Sequence, residues 1–368
     1  MIVLQRVIDR HVGRFLVGLL KIVKRKNSLY KARKILIIKL WAMGDSVVML
    51  PMLEGLRKSF PNSQIDVLVR NRNKDVFIGN KDLNNILLFE FSQYPKILLK
   101  FNEYDLVIDA EPYFNLSAIL SWYLGKFSVG FSHGKRAALY DSVTEFSKKQ
   151  HMVQNYLDMI RKIGVEYDAD RLVKLAYAEK DRSFANEFLS RNAVSKKEVV
   201  IGISPGVAES VKARAWPEDK FAALARRMID DTKAKILIID SKDNQALVER
   251  IISKTDSKYR LMKAIGLTKK QFFALVDRCN LFVSNDAGAM HVAAAQGVKT
   301  IGLFGPNTPV LWAPYGKGNI TIYRPPRSGP FIENMTGYMP DKLTPEQANC
   351  MDQITVDEVF NAVKRLMG

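Results

Sequence analysis

The sequence predicts an α/β fold in two domains, each built on a parallel sheet, and three observations carry that prediction. The first is a self-contained unit in residues 279–316, CNLFVSNDAGAMHVAAAQGVKTIGLFGPNTPVLWAPYG. Its apolar run 281–284 reads as a buried strand, and the polar turn Asn285-Asp286-Ala287-Gly288 leads into an alanine-rich helix over 289–296 that Gly297 stops. A second apolar run, 300–304, is the next strand, so the unit is a parallel strand-helix-strand crossover. The second observation is that apolar runs elsewhere alternate with helical patterns in the same way. The third is length: 368 residues exceed the roughly 250–300 at which one core stops growing.

Taken in order, residues 1–34 carry ten Lys or Arg against one acid, Asp9, which is half of the net charge of +18. Arg6, Arg10, Arg14 and Lys21 alternate with Ile8, Val12, Phe15, Leu16, Leu19 and Ile22, a basic amphipathic pattern. Arg14 and Lys21 interrupt it well short of the ~20 apolar residues that a membrane span needs. The small-residue cleavage site of a secretory signal is also missing. Two readings remain: a helix lying on an anionic leaflet, each surface cation adding roughly 1 kcal/mol, or a helix packed on the domain with its basic side solvated. Charge concentrated where the apolar residues are densest favours the first.

Residues 34–40, KILIIKL, are the first strand, and Trp41-Ala42-Met43-Gly44-Asp45 follow at its carboxyl end before a helix that begins near Ser46. Ligands of open α/β sheets bind at that edge. Gly44 stands alone, which excludes the G-x-G-x-x-G dinucleotide fingerprint, and a Gly-Asp before a helix also reads as a turn and cap. Strands over 65–69, 86–89, 106–110 and 127–131, with a helix over 114–124, continue the alternation, and a helix over 151–164 closes the domain. Periodicity is lost around 165–178, the expected linker. Asp168-Ala169-Asp170 has the form of a metal-diphosphate motif, but no strand precedes it, so it reads as solvated linker.

In the second domain a strand over 199–204 runs into Pro205-Gly206 and a loop that ends at Trp216-Pro217. Lys212 and Arg214 in that loop suit a diphosphate, Arg with bidentate geometry, or are solvated loop charges. Residues 235–240 form the next strand, and 266–279 read as loop and helix. At the 285–288 turn, the free amides of the following helix favour an anion such as phosphate. Gly288 allows close backbone approach, and His291 can donate to a phosphate oxygen; alternatively the turn is an N-cap and His291 a half-buried histidine. Residues 324–347 resist assignment, and a helix to Met367 ends the chain.

Composition narrows the function classes. The two cysteines, Cys279 and Cys350, lack metal-ligand spacing and indicate a reducing compartment. A net charge of +18 implies an anionic partner. No nucleic-acid motif is present, and the aromatics do not alternate with basic residues as a stacking platform requires.

Several blocks, in order, resemble the ADP-heptose:lipopolysaccharide heptosyltransferases, glycosyltransferase family 9. The amino-terminal signature is matched by residues 35–39, Gly44-Asp45, Leu50-Pro51, Leu53, Leu56-Arg57, Phe60-Pro61 and 65–69. A third block is matched by 104–109, Ser117 and Gly130-Phe131, and the loop P-G…W-P by Pro205-Gly206 and Trp216-Pro217. The carboxy-terminal signature is matched by Asn285, Asp286, Gly288, Met290, His291, 293–295, Gly297, 303–306 and 314–316. The chain departs from the family at Trp41, at Asp240-Ser241 in place of a glycine pair, and at Ala287 and Asn307 in place of threonines. Arg214 stands where the family has a phosphate-binding lysine.

This resemblance implies a GT-B type fold, α/β, with two Rossmann-like domains whose parallel sheets face a central cleft. The implied division is a basic membrane-associating segment 1–34, an acceptor domain 35–170, a nucleotide-sugar domain 171–353, and a helix 354–368 returning toward the first domain. It implies an inverting, metal-independent transfer of heptose from ADP-heptose to a lipopolysaccharide core or similar lipid-linked glycan, with no cofactor. Asp45 is the implied catalytic base. Lys212, Arg214, Asn285, Asp286, Ala287, Gly288 and His291 are the expected donor-binding residues, with Asp286 on sugar hydroxyls or holding the turn. Lys39, Trp41 and Gly44 are expected on the acceptor side. The expected partners are the nucleotide sugar, the glycan and an anionic membrane surface contacted by residues 1–34, with no nucleic acid. The expected location is the cytoplasmic face of the inner membrane of a Gram-negative bacterium. Ala287, Asn307 and Asp240 leave room for another nucleotide sugar, and charge alone does not separate a transferase from a non-catalytic binder of anionic glycan or nucleic acid.

Overall fold

The apolar runs assemble into two six-stranded sheets in which every neighbouring pair is parallel. The computed structural model describes residues 8–24, 27–29, 31–195, 197–255, 260–330 and 343–368. The chain divides into one unit, Met1–Ala169, and a second, Asp170–Gly368.

The first sheet contains β1 (Lys34–Ile38), β2 (Gln64–Val69), β3 (Asn85–Leu88), β4 (Tyr104–Asp109), β5 (Gly125–Phe131) and β6 (Ser142–Thr144), in the order β3-β2-β1-β4-β5-β6. Residues 35–38 of β1 are buried on both faces, which is why this strand reads as a continuous apolar run. The chain winds outward from β1 to β3, crosses back to β4 and winds outward again. Strand order therefore reverses between β1 and β4, whose ends are level, Ile38 opposite Asp109.

The second sheet contains β7 (Val200–Ser204), β8 (Lys235–Asp240), β9 (Leu261–Ile265), β10 (Leu281–Asn285), β11 (Lys299–Phe304) and β12 (Ile320–Tyr323), in the order β12-β11-β10-β7-β8-β9. It repeats the same winding, with its reversal between β7 and β10 and Ser204 opposite Ser284.

The sequence reading omits β6, β9 and β12. All three are edge strands, short or only partly buried, and β9 alternates buried Met262 and Ala264 with exposed Lys263, so no apolar run marks them. The closing helix, Val356–Met367, packs its apolar face on the second unit: Val359, Phe360 and Val363 are buried with Phe221 and Met228 of the helix Glu218–Thr232.

Within the basic segment, residues 1–7, 25, 26 and 30 lie outside the described residues. A π-helical turn, Asp9–Gly13, continues into the α-helix Arg14–Val23. Asp9 caps the helix Asn115–Leu124, its carboxylate accepting from the backbone amides of Asn115 at 3.0 Å and Leu116 at 2.7 Å. Val17 is buried with Ala118, Leu139 and Tyr140, and Lys24 pairs with buried Asp141 at 2.8 Å. One face of this helix is thus packed on the first unit, while Phe15, Leu19, Ile22 and Val23 on the other face are exposed.

Gly202 in central strand β7 lies so close to Phe282 that a Cβ there would sit 2.4 Å from the ring. Gly202→Ala should therefore overpack the sheet and cost about 1–3 kcal/mol, read as a lower urea midpoint. An unchanged midpoint would contradict this packing.

Candidate active site

In each unit the polar loops gather at the carboxyl edge where strand order reverses. In the first unit the loop from Lys39 to Ala42 joins β1 to the helix Met43–Ser59, whose first turn holds Asp45. Glu111, two residues beyond β4, grips it from one side: its Oε1 accepts from the amides of Leu40 and Trp41, each at 2.7 Å. Asn73 grips it from the other side, donating to the Lys39 carbonyl at 2.9 Å and to Ser46 Oγ at 2.8 Å, while Ser46 Oγ donates to the Ala42 carbonyl. Between these clamps Ala42 holds φ at 53°, a left-handed conformation that costs an alanine on the order of 1–3 kcal/mol. The clamps sustain it and so set where Asp45, in the first turn of the following helix, begins.

Lys39 was expected on the acceptor side, but its ammonium is fully buried, 3.4 Å from Glu111 and 3.3 Å from the Ala110 carbonyl. Burial works against that charge, yet Glu111, with Tyr156 and Asp45 beyond it, outweighs the penalty and raises the Lys39 pKa. Burial likewise pushes the Glu111 carboxyl above the usual glutamate range, with Lys39 opposing and Asp45 and Asp109 adding to it. The second Glu111 oxygen has no hydrogen-bond partner. Lys39 is therefore a counter-ion beneath the loop, and Gly44 is buried as well. Trp41 is partly exposed, packed between the Phe114 ring, 5.5 Å away, and the Arg72 guanidinium, 4.2 Å from its ring centre.

In the second unit the group centres on Asp286, just beyond β10. Its Oδ2 pairs with Arg214 at 3.0 Å and accepts from Asn307 Nδ2 at 2.7 Å. His291, one turn along the helix Gly288–Ala295, meets the Trp312 ring edge-on at 6.1 Å. Four buried polar atoms of this knot have no hydrogen-bond partner: Arg214 Nε, His291 Nδ1, Asn307 Oδ1 and Trp312 Nε1. Buried polar atoms without partners are uncommon, and here four fall on neighbouring side chains. Ala287 and Gly288 are partly exposed at the start of the helix, where unpaired amides favour an anion.

Burial, assisted by the Arg214 charge, pushes the His291 pKa down to about 4, so at neutral pH the ring is uncharged. Asn285 was expected to bind the donor, but its amide is consumed inside the fold, accepting from the Trp216 amide at 3.0 Å and donating to the Pro205 carbonyl at 2.8 Å. It fixes the two loops that flank Asp286. Lys212 is not brought to this group either; it is largely exposed and pairs with Glu209 at 2.6 Å, a surface contact worth about 0–1 kcal/mol. Asp240 is similarly occupied, accepting from the Gly206 amide at 2.7 Å and from Asn244 at 2.7 Å.

Glu111, Asn73 and Trp312 escaped the sequence reading. An acid just beyond the apolar run of β4, at the same edge as Asp45, was the available signal for Glu111. Asp168, in the D-x-D, is exposed and bonded to Gln154 and Arg161. Among the described residues, no group of three or more His, Cys, Asp or Glu side chains is placed to hold a metal ion.

A family model described as glycosyltransferase family 9 (heptosyltransferase) matches residues 97–330. The lipooligosaccharide heptosyltransferase 2 of Haemophilus ducreyi is 26% identical over 310 residues, covering 78% of this chain and 88% of its own length. The crystal structure of the family 9 glycosyl transferase from Veillonella parvula aligns with a TM-score of 0.75 at 22% identity, over 93% of this chain and 99% of that one. The Escherichia coli ADP-heptose lps heptosyltransferase II aligns with a TM-score of 0.71 at 21% identity, over 91% and 98%. These alignments assign the chain the GT-B type fold.

A histidine at about 4 in the fold and about 6.5 unfolded binds its proton first in the unfolded chain. Its contribution is therefore present above about 6.5 and lost as pH falls through 4. His291→Gln should remove about one proton from the acid-side stability slope, measured as a smaller fall in melting temperature from pH 7 to pH 4 than the parent shows. Equal falls would contradict the buried neutral ring.

Proposed function

Because the chain belongs to glycosyltransferase family 9, the heptosyltransferases, we propose that it transfers heptose from ADP-heptose to a sugar of a lipopolysaccharide core, with inversion at the anomeric carbon. The observation that carries this reading is the polar knot around Asp286, whose mixture of guanidinium, imidazole, amide and indole groups suits a sugar diphosphate. The donor named for the Escherichia coli neighbour supports ADP-heptose, and the lipooligosaccharide enzyme of Haemophilus ducreyi supports a lipid-linked glycan acceptor.

In this reading the second unit binds the donor and the first binds the acceptor. Arg214 and the first amides of the helix Gly288–Ala295 take the diphosphate, and His291 donates as a neutral ring. Asp286, an anion, takes sugar hydroxyls, and Asn307 orients it. The acceptor hydroxyl attacks the anomeric carbon, the bond from that carbon to the diphosphate oxygen breaks, and ADP leaves with the bonding pair. Asp45 receives the hydroxyl proton, a step worth typically 10²–10⁴-fold in rate. Charge building on the departing diphosphate is met by fixed donors that need no reorganisation. Glu111 and Asn73 keep the Asp45 turn in place, with Lys39 neutralising the carboxylates around it.

No described helix is long and apolar enough to cross a membrane. We place the enzyme peripherally on the cytoplasmic face of the inner membrane, held by the helix Arg14–Val23, whose outward face is apolar and flanked by Arg10, Arg14 and Lys21. That location gives it access to a lipid-anchored acceptor.

Asp45→Ala should lower heptose transfer by about 10²–10⁴-fold while ADP-heptose still raises the melting temperature. Near-parental turnover would remove Asp45 from the base role. In a panel of nucleotide sugars, ADP-heptose should stabilise the parent most; a larger shift from a uridine or guanosine sugar would reassign the donor.

A further inference from the structure

Large apolar side chains exposed to solvent are concentrated in the first unit: among the described residues, fourteen of sixteen lie there. Several are on the helix Arg14–Val23. A second set is Phe91, Leu98, Leu99 and Phe101, with Phe91 87% and Leu99 86% exposed. We propose that residues 91–101 are a second lipid-inserting element, which with the helix Arg14–Val23 seats the first unit on an anionic bilayer at two points. This rests on the membrane association proposed above and extends it to a segment that begins 68 residues after Val23.

The segment is built to hold these side chains outward. Ile97 is buried in the core beside Leu36 and Val107, which anchors the short helix Tyr94–Leu98. Tyr94 packs on Phe89 at 4.7 Å and meets Phe91 edge-on at 5.9 Å. Phe101 lies against Tyr123 at 5.1 Å, and the Tyr123 hydroxyl donates to the Leu98 carbonyl at 2.5 Å. Anchored in this way, Phe91 and Leu99 leave their own side chains in water, an arrangement that is unfavourable unless something apolar meets them.

The two sets flank one element. Tyr123, which holds residues 98–102, belongs to the helix Asn115–Leu124, and the same helix packs on Arg14–Val23 through Ala118, Ile119 and Trp122. Leu116 is exposed on this intervening helix.

Charge selects the occupant. Arg10, Arg14, Lys21 and Lys96 are exposed among these residues. The acids nearby are committed: Asp9 to the cap, Glu90 to Arg70, Glu103 to Lys100 and Asp105 to Lys126. A second copy of the chain would set this cationic rim against itself, whereas anionic headgroups complement it while the acyl region receives the apolar side chains.

The test is flotation of the full-length protein with vesicles of phosphatidylcholine and phosphatidylglycerol in roughly equal parts, with pure phosphatidylcholine as control. The double variant Phe91→Ser, Leu99→Ser removes exposed groups only, and it should lower partitioning by about tenfold or more with melting temperature unchanged. In Leu99→Trp, brominated lipids should quench fluorescence beyond the quenching seen with the four native tryptophans. If that double variant floats like the parent while Phe15→Ser, Ile22→Ser does not, the second element is overturned and the helix reading stands. If neither variant loses binding, the membrane reading itself fails. If Phe91→Ser, Leu99→Ser converts a dimer to a monomer in lipid-free sedimentation and leaves flotation intact, the surface joins copies of the chain and the proposal is overturned.

Discussion

The rest of the structure depends on a winding constraint. A parallel sheet whose strands are laid down first to one side of β1 and then to the other must send the two central crossovers to opposite faces, which leaves the carboxyl ends of β1 and β4 uncovered between them. The second unit repeats this at β7 and β10. Both candidate sites occur at these two reversals, each on the polar loop that follows a central strand.

Each candidate site carries a buried charge that is paired and hydrogen-bonded. A buried ion costs several kcal/mol unless it is paired and hydrogen-bonded, and removing one partner from such a pair typically costs about 3–5 kcal/mol. Glu111 meets that cost with two amides and the Lys39 ammonium, and in doing so fixes the backbone from Leu40 to Trp41 just ahead of Asp45. Asp286 meets it with Arg214 and Asn307, and in doing so holds the guanidinium at the mouth of the Gly288–Ala295 helix. In both, the partnership that makes the charge tolerable also aims the functional group.

This division explains what was legible in the sequence. Central strands such as β1, β10 and β11 are apolar on both faces and announce themselves, and the polar turns after them are found by position alone. Edge strands β9 and β12 mix lysine, threonine and tyrosine with their apolar residues, so they leave little trace. Side-chain direction is the harder loss. Lys39 reads as a cation available to the acceptor, because nothing local indicates that Glu111, just beyond another strand, draws it inward. Asn285 reads as a ligand contact although it is buried, with its Oδ1 bonded to Trp216 and its Nδ2 to Pro205. Lys212 and Arg214 are two residues apart and indistinguishable by composition, yet Arg214 meets buried Asp286 while Lys212 pairs with solvated Glu209. The apolar residues of 91–101 carry no periodicity that shows they point into water.

In the proposed function the second unit's reversal point, through Arg214 and its neighbours, grips the donor diphosphate. Isothermal titration of ADP into the parent, Arg214→Gln and Lys212→Gln tests it most directly, with circular dichroism confirming that each variant is folded. Arg214→Gln should weaken ADP binding about tenfold or more, as expected for losing a charge-assisted contact, and Lys212→Gln should leave it unchanged. Unaltered affinity in folded Arg214→Gln, or a loss confined to Lys212→Gln, would contradict this role of Arg214.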